Sequence, residues 1–364
     1  MVRIPWRRRV PAPAAPPRDD AAETAAGWDA ITGAFETAYP GQEPFHYGTL
    51  VKYRLGGPDP LDGVSVYRAA DPVPHWHYVT YGYSDLYGEA GRPHAPEEAD
   101  SGYGIEMTLR LADPAALDPA ASPPVWVVNL LQNLARYVFR TGNVILARHH
   151  LDTDGPIAVG VPTRLCALAF IDDPISPPLS TPHGAVRLVQ AVGITADELR
   201  DAVAWNTAGV LDVLAQRWPR GLTILDRPSL DDDPDLVRQV REGTARDGSG
   251  LDGLSLGTLD LVGTPTGIRV TLAAQAMAAV TAAAGGRLGA GGELTLAGPA
   301  QALVLLPQPD DGGAERTLPD PDQPGRLSLT GAGVAGLAEL PALPGDYRLD
   351  AIPWVVWRLV DDGS

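Results

Sequence analysis

Apolar residues recur along the chain with two periods, and each change of period marks a new element. Trp28, Ile31, Phe35 and Tyr39 fall on one stripe at helical spacing, the pattern of a helix lying on a sheet. Segments with strand character follow at 49–55, 63–68, 75–83 and 103–111. In the last of these, Tyr103, Ile105, Met107, Leu109 and Leu111 alternate with Gly104, Glu106, Thr108 and Arg110, so one face of a strand is apolar. The period then returns to that of a helix: Val127, Leu130, Leu131, Leu134 and Val138 share a face, with Pro124 near the start, which predicts about four turns.

Residues 143–151 and 163–171 read as further strands, a Pro-rich loop occupies 172–184, and 185–194 is strand again. Thr195 and Glu198 have the three-residue spacing of a capping box, which predicts one long amphipathic helix through residue 218. Asp231 to Asp233 precede another helical stretch that a glycine-rich stop ends near residue 250. Beyond it the composition shifts to Ala, Gly and Leu, with strands expected at 267–273, 292–298, 302–307 and 354–360 and a helix at 330–340. This order predicts an α+β protein of two domains, each a mixed or antiparallel sheet flanked by helices. The expected division is a disordered leader at 1–23, a first domain at 24–254 and a smaller second domain at 255–364.

With 364 residues, two cores are the natural expectation, because single cores seldom grow past about 250 to 300 residues. The chain holds 45 acidic and 28 basic residues, a net charge of −17, and five of the arginines crowd into the first twenty positions. Such a field repels nucleic acid and anionic membranes and attracts a basic protein or peptide. The longest Ala-rich stretch is shorter than the roughly 18 apolar residues of a membrane span, and no signal-peptide core follows the leader arginines, so the expected location is the cytoplasm. The single cysteine, Cys166, lies in a strand pattern that points to an inert buried thiol. Lys52 is the only lysine, a bias that suggests a GC-rich bacterial source.

The candidate chemistry is sparse. His75 and His77 are two apart on a strand, hence on one face and within reach of a common zinc ion, but none of Asp59, Asp62, His46 and Glu89 is selected by spacing as a third ligand. Histidines in an aromatic strand are more often hydrogen-bonded core or cleft residues. Residues 56–63, GGPDPLDG, lack the Gly-Lys-Ser/Thr ending of a phosphate loop and carry two acids, so they read as a stiff turn. A Gly-x-Ser-x-Gly elbow is absent. Asp231 to Asp233 suit the start of a helix, whereas Asp172 and Asp173 leave binding and solvation both open. Tyr78, Tyr81, Tyr83 and Tyr87 fit a rigid aromatic core or a cleft. No active site is assembled, no cofactor is called for, and the expectation is a non-enzymatic binder. A metal-dependent enzyme built on His75 and His77, or a scaffold without a dedicated cleft, are the alternatives.

Five blocks, VKYRLGGPDPLDGVSVYR, HWHYVTYGYSDLYGE, SGYGIEMTLRL, LLQNLARYVFRTGN and DDP with TPHGAVRLVQAVGI, resemble in order and spacing the N-terminal domain of the Suppressor of fused family. The resemblance runs from about Trp28 to Gly253 and is weaker beyond. It implies a protein that grips a short peptide as an added strand between its two domains, as the animal members do with Gli-type transcription factors. It assigns peptide contacts to Tyr137, in the Ala-Arg-Tyr-Val-Phe helix, and to Asp172. His149 stands where those members have a third, acidic contact, which implies a different ligand preference. The strand at 143–151 and the segment from Arg287 to Leu296 are expected to line the cleft. Bacterial members resemble immunity proteins of polymorphic toxin systems, so a basic toxin domain is the implied partner.

Overall fold

The computed structural model describes residues 25–88 and 100–361, apart from 52, 54, 55, 176, 220, 252, 309–314, 321 and 322. The expected leader, Lys52 and Glu89 lie outside the described residues. The fold is α+β, as the pattern predicts, with three mixed or antiparallel sheets flanked by helices.

The largest sheet holds nine strands: β1 (Phe45–Gly48), β2 (Gly63–Ala69), β3 (His75–Tyr81), β4 (Asp100–Ala112), β5 (His150–Asp152), β6 (Leu165–Asp172), β7 (Leu179–Thr181), β8 (Gly184–Thr195) and β9 (Leu222–Thr223). Its main order is β1-β2-β3-β4-β8-β6-β5, with β7 on β8 and β9 on β4. Pairing is antiparallel except for β4 with β8 and β4 with β9. Helix α1 (Ala26–Ala38) covers one face, seating Ile31 and Phe35 on Tyr67, Val79 and Tyr81. Helix α2 (Val125–Thr141) covers the other, where its five predicted apolar positions are all buried with Trp76, Tyr78, Leu109 and Phe170. Alternation therefore sorts each strand into an α1 side and an α2 side.

Helices α3 (Ala196–Ala204), α4 (Thr207–Leu214) and α5 (Pro234–Asp247) pack on Ala167, Ala169, Ile171, Val192 and Ile194, the residues of β6 and β8 that point away from α2. The single long helix expected from Thr195 is thus two. The chain breaks at Trp205, and Asn206 caps α4 by accepting the Gly209 N–H at 2.7 Å. The Trp205 indole fills the space above Gly209 and Gly243, where any side chain would collide with the ring, and donates to Asp247 at 3.0 Å. The capping box at Thr195 and Glu198 is present, and Asp233 caps α5 through the N–H groups of Asp235 and Leu236.

Two further sheets come from the rest of the chain. Strands β10 (Gly253–Ser255), β13 (Leu294–Ala297), β14 (Ala302–Pro307), β16 (Gly325–Leu329) and β15 (Arg316–Thr317) form one, in that order. Strands β11 (Leu259–Thr264), β12 (Gly267–Ala273), β18 (Val355–Val360) and β17 (Gly345–Tyr347) form the other. Together with helices α6 (Met277–Gly289) and α7 (Gly331–Ala338) they enclose one aliphatic core around Trp357, into which Val203 of α3 also projects. Gly286 of α6 lies against the end of α3, and a methyl group there would run into the Ala204 carbonyl oxygen and Ser249. Gly286→Ala is therefore expected to cost about 1–3 kcal/mol through overpacking, read as a lower thermal midpoint.

Three sequence expectations change. Of residues 49–55, the described ones, 49–51 and 53, are not in a strand. The strand is β1, just upstream, and Leu50 and Val51 are exposed, so they have no apolar surface on which a strand could settle. Of residues 143–151 only the end is strand, because Gly142 closes α2 in the left-handed region and Arg148 has φ 73°, which breaks extended geometry. The loop at 172–184 contains the short strand β7. Cys166 is on β6 but only half-buried, and burial pushes its thiol above the ordinary value. No described helix is long and apolar enough to cross a membrane.

Candidate protein-binding edge

The nine-stranded sheet ends at β5, which among the described residues has a strand partner on one side only. Strand β6 outruns it. β5 matches β6 through Ala167, Leu168 and Ala169, and the chain before β5 adds bonds from Arg148 N–H to the Phe170 carbonyl at 2.7 Å and from Phe170 N–H to the His149 carbonyl at 3.0 Å. Arg148 and His149 thus both oppose Phe170, the two-against-one arrangement of a bulge. An edge of this kind presents backbone groups to an incoming strand.

Register places the candidate anchors relative to this edge. Asp172 has the parity of Phe170, which lies in the α2-side core, so the Asp172 side chain points to the α2 side. His149, opposite Phe170, belongs to the same side and accepts the Leu146 N–H through Nδ1 at 3.1 Å. Tyr137 lies near the end of α2, its hydroxyl accepting from Asn143 Nδ2 at 3.2 Å, so the helix is tied to the segment that leads into β5. Tyr137, His149 and Asp172 therefore share one side of the sheet. Asp172 is exposed, with Arg187 at 3.9 Å, a long and solvated pairing that a partner cation can displace.

Arg287 is placed differently. It sits in the last turn of α6, and its guanidinium bonds the carbonyls of Glu293 at 3.1 Å and Ser249 at 3.5 Å, bracing the junction with the second group of sheets. Leu294 and Leu296, from the same expected lining segment, are fully buried on β13 and face the aliphatic core.

The aromatic strand that holds His75 and His77 is interior. Both imidazoles are buried with ring centroids 6.5 Å apart, and three of their four nitrogens have hydrogen-bond partners. His75 Nδ1 bonds the Val73 carbonyl at 2.8 Å. His77 Nδ1 meets the Tyr39 hydroxyl at 2.7 Å, and Nε2 meets Asp173 at 3.0 Å. Burial lowers the pKa of His77 against the pull of Asp173, so the ring is neutral at pH 7, donating from Nε2 and accepting the tyrosine proton. The third-ligand candidates are spent elsewhere: His46 bonds Ser65, Asp62 accepts from Tyr87, and Asp59 pairs with Arg136. Among the described residues no three His, Cys, Asp or Glu side chains are grouped to hold a metal ion. Tyr78, Tyr81 and Tyr83 are fully buried, which makes them core and not cleft.

Residues 57–228, the stretch that builds this edge, match the family model described as Suppressor of fused protein. The human Suppressor of fused homolog is 38% identical over 248 residues, 63% of this chain and 49% of the relative, and the mouse homolog matches to the same extent. A chain in a crystal structure titled as the Sufu-Fu complex is 34% identical over 59% of this chain and 97% of its own, with a TM-score of 0.54. The chain belongs to the Suppressor of fused family. Its fold also matches the crystal structure of Drosophila Suppressor of Fused with a TM-score of 0.72 at 25% identity, covering 94% of this chain and 98% of that one. The chain spans about half the length of its human and mouse Suppressor of fused relatives. Tyr137, His149 and Asp172 all fall within the Suppressor of fused match, and Arg287 falls outside it.

The sequence left Asp173 open between binding and solvation, and the fold buries it beside the exposed Asp172. Strand alternation was the available signal: of two adjacent acids at a strand end, one must point to the opposite face.

Proposed function

We propose that this chain is a non-enzymatic binding module that holds a polypeptide segment as an added strand along β5 and the end of β6, between a first domain at 24–254 and a second at 255–364. The observation that carries the reading is the open edge at β5 with Tyr137, His149 and Asp172 on one side of it. The crystallised Sufu-Fu complex, in which a related chain is bound to another protein, supports it. In β-augmentation the main chain supplies affinity and a few side chains supply selectivity. Asp172 favours a basic partner residue, and His149 favours an acceptor or an acid over a second imidazole. The net charge of −17 speeds encounter with a basic protein. The biological use we propose is immunity in a bacterial toxin system, with a basic toxin domain as partner and the cytoplasm as the place of action.

The test is capture of partners from the native host on the immobilised protein, with products of neighbouring genes assayed individually. The expected result is a basic protein that binds with one-to-one stoichiometry. Tyr137→Ala and Asp172→Ala should each weaken that complex by about 1–3 kcal/mol in calorimetry, the range of anchor residues. Equal affinity in both variants would remove the edge as the site, and repeated recovery of no protein partner would remove the function.

A further inference from the structure

We propose that the buried Asp173 carboxylate is the positioning residue of the binding edge: it pins the end of β6 across the sheet to β4, β3 and α1, and so sets where Asp172 and the open backbone stand. This rests on the reading of that edge as the binding site.

Asp172 and Asp173 are neighbours with opposite fates. Asp172 ends β6 in solvent, while the Asp173 side chain is 0% exposed. Its carboxylate collects four donors from four places in the chain. His77 Nε2 on β3 donates at 3.0 Å, Thr108 Oγ1 on β4 at 2.5 Å and Arg110 on β4 at 2.7 Å, and the Ile175 N–H donates at 2.8 Å from just beyond Pro174. The Asp173 N–H bonds the Leu188 carbonyl on β8 at 2.9 Å. His77 extends the chain of bonds to the Tyr39 hydroxyl at the end of α1. Two strands, β3 and β4, thus converge on this side chain where β6 leaves the sheet, β8 holds its backbone, and α1 joins through His77.

A buried carboxylate is costly unless it is paired and hydrogen-bonded, and here the pairing is complete. Burial alone would push its pKa up, but the bonds from His77 and Thr108 and the charge of Arg110 pull it down to about 2, so it stays ionised. The pin is local in consequence. Among the described residues β5 and the chain just before it reach only to Phe170, and no strand flanks the outer side of β6 at Ile171 and Asp172. There the Ile175 bond and the cross-sheet bonds of Asp173 hold the strand from its far face. A strand partner needs that backbone held still, since ordering it on binding would subtract from affinity.

The experiment compares Asp173→Asn, His77→Leu, His77→Gln and the milder Thr108→Val with Asp172→Ala. Gln can donate to Asp173 and accept from Tyr39, so His77→Gln is the conservative variant. The first readout is deuterium exchange of the amides from Phe170 to Ile175, which needs no partner. Asp173→Asn and His77→Leu should raise exchange there at least tenfold above the change elsewhere in the sheet, and His77→Gln should stay near wild type. The second uses twelve-residue peptides selected from a random phage library on the wild-type protein and counter-selected on Asp172→Ala. Their affinity should fall at least tenfold in Asp173→Asn and His77→Leu and recover in His77→Gln, with Thr108→Val intermediate. If selected peptides depend on Asp172 but bind the folded Asp173→Asn or Thr108→Val protein within twofold of wild type, the positioning role is wrong and the site stands. If no peptide depends on Asp172, the site reading fails, and exchange alone decides the pin. Unchanged exchange at Phe170 to Ile175 in the variants overturns the pin outright.

Discussion

Arg227→Met is expected to destabilise the protein by about 3–5 kcal/mol, seen as a large drop in the urea midpoint, the penalty typical of a buried ion pair that loses one partner. Arg227 and Glu198 face each other with side chains 3% and 0% exposed. The guanidinium donates to both carboxylate oxygens, at 2.6 and 2.5 Å, and to the carbonyls of Gly193 and Pro228. Glu198 also accepts the backbone N–H groups of Thr195 and Leu230 at 2.9 and 3.0 Å. One pair therefore closes the capping box of α3, anchors the turn at Leu230 and holds the end of β8. Removing the arginine leaves an ionised carboxylate in the interior with two amide donors. The double variant Glu198→Gln with Arg227→Met should recover much of the loss, because it removes the orphaned charge along with its partner. Additive losses would show that packing of Arg227 over Trp218, at 5.3 Å, matters more than the charge.

Glu106→Gln should remove the largest single part of a fall in stability that the parent shows between pH 4.5 and 7. Glu106 is fully buried in the α1 side of β4 and accepts from Thr80 at 2.6 Å, the Gly82 and Ser84 N–H groups at 2.9 Å each and the Ser84 hydroxyl at 2.7 Å. Burial nevertheless pushes its pKa from 4.5 up to about 7, the four donors pulling the other way. A carboxyl whose folded pKa is raised keeps its proton longer when folded. Its contribution is fully present below pH 4.5 and is lost as pH rises through 7, on the order of 3 kcal/mol in total at about 1.4 kcal/mol per unit. Urea midpoints at pH 5, 6, 7 and 8 should fall more steeply with pH for the parent than for Glu106→Gln, in which Asp201, also raised by burial to about 6, still titrates, with the variant the more stable at pH 8. The same slope in both proteins would refute the assignment. Asp173 has the opposite sign and a separate window. Its pKa is depressed, so its contribution is present above pH 4 and lost as pH falls through about 2.

What could be read directly was local. The stripe of Val127, Leu130, Leu131, Leu134 and Val138, the alternation of β4, the capping box at Thr195 and the acidic start of α5 all became buried faces or caps. Each depends on contacts within a few residues or on a single periodicity. The candidate residues Tyr137, His149 and Asp172 were nameable through family resemblance, and strand parity puts His149 and Asp172 on the side of the sheet that α2, with Tyr137, covers. The misreadings share a cause. Residues 49–55 have strand composition, but Leu50, Val51 and Tyr53 are left exposed. Residues 195–218 have helical composition, but Trp205, packed on nearby Gly209 and distant Gly243, breaks the run.

Composition, periodicity and motif order were enough to establish an α+β chain of the Suppressor of fused family with an acidic surface. Only the folded arrangement decided that His77 and Asp173, separated by 96 positions, would share a proton-donor bond in the interior, that Arg287 would brace a junction, and that β5 would have a strand partner on one side only among the described residues. Periodicity reports which face of an element is apolar. It says nothing about which other element meets that face, because that pairing is chosen by the burial of the whole chain at once.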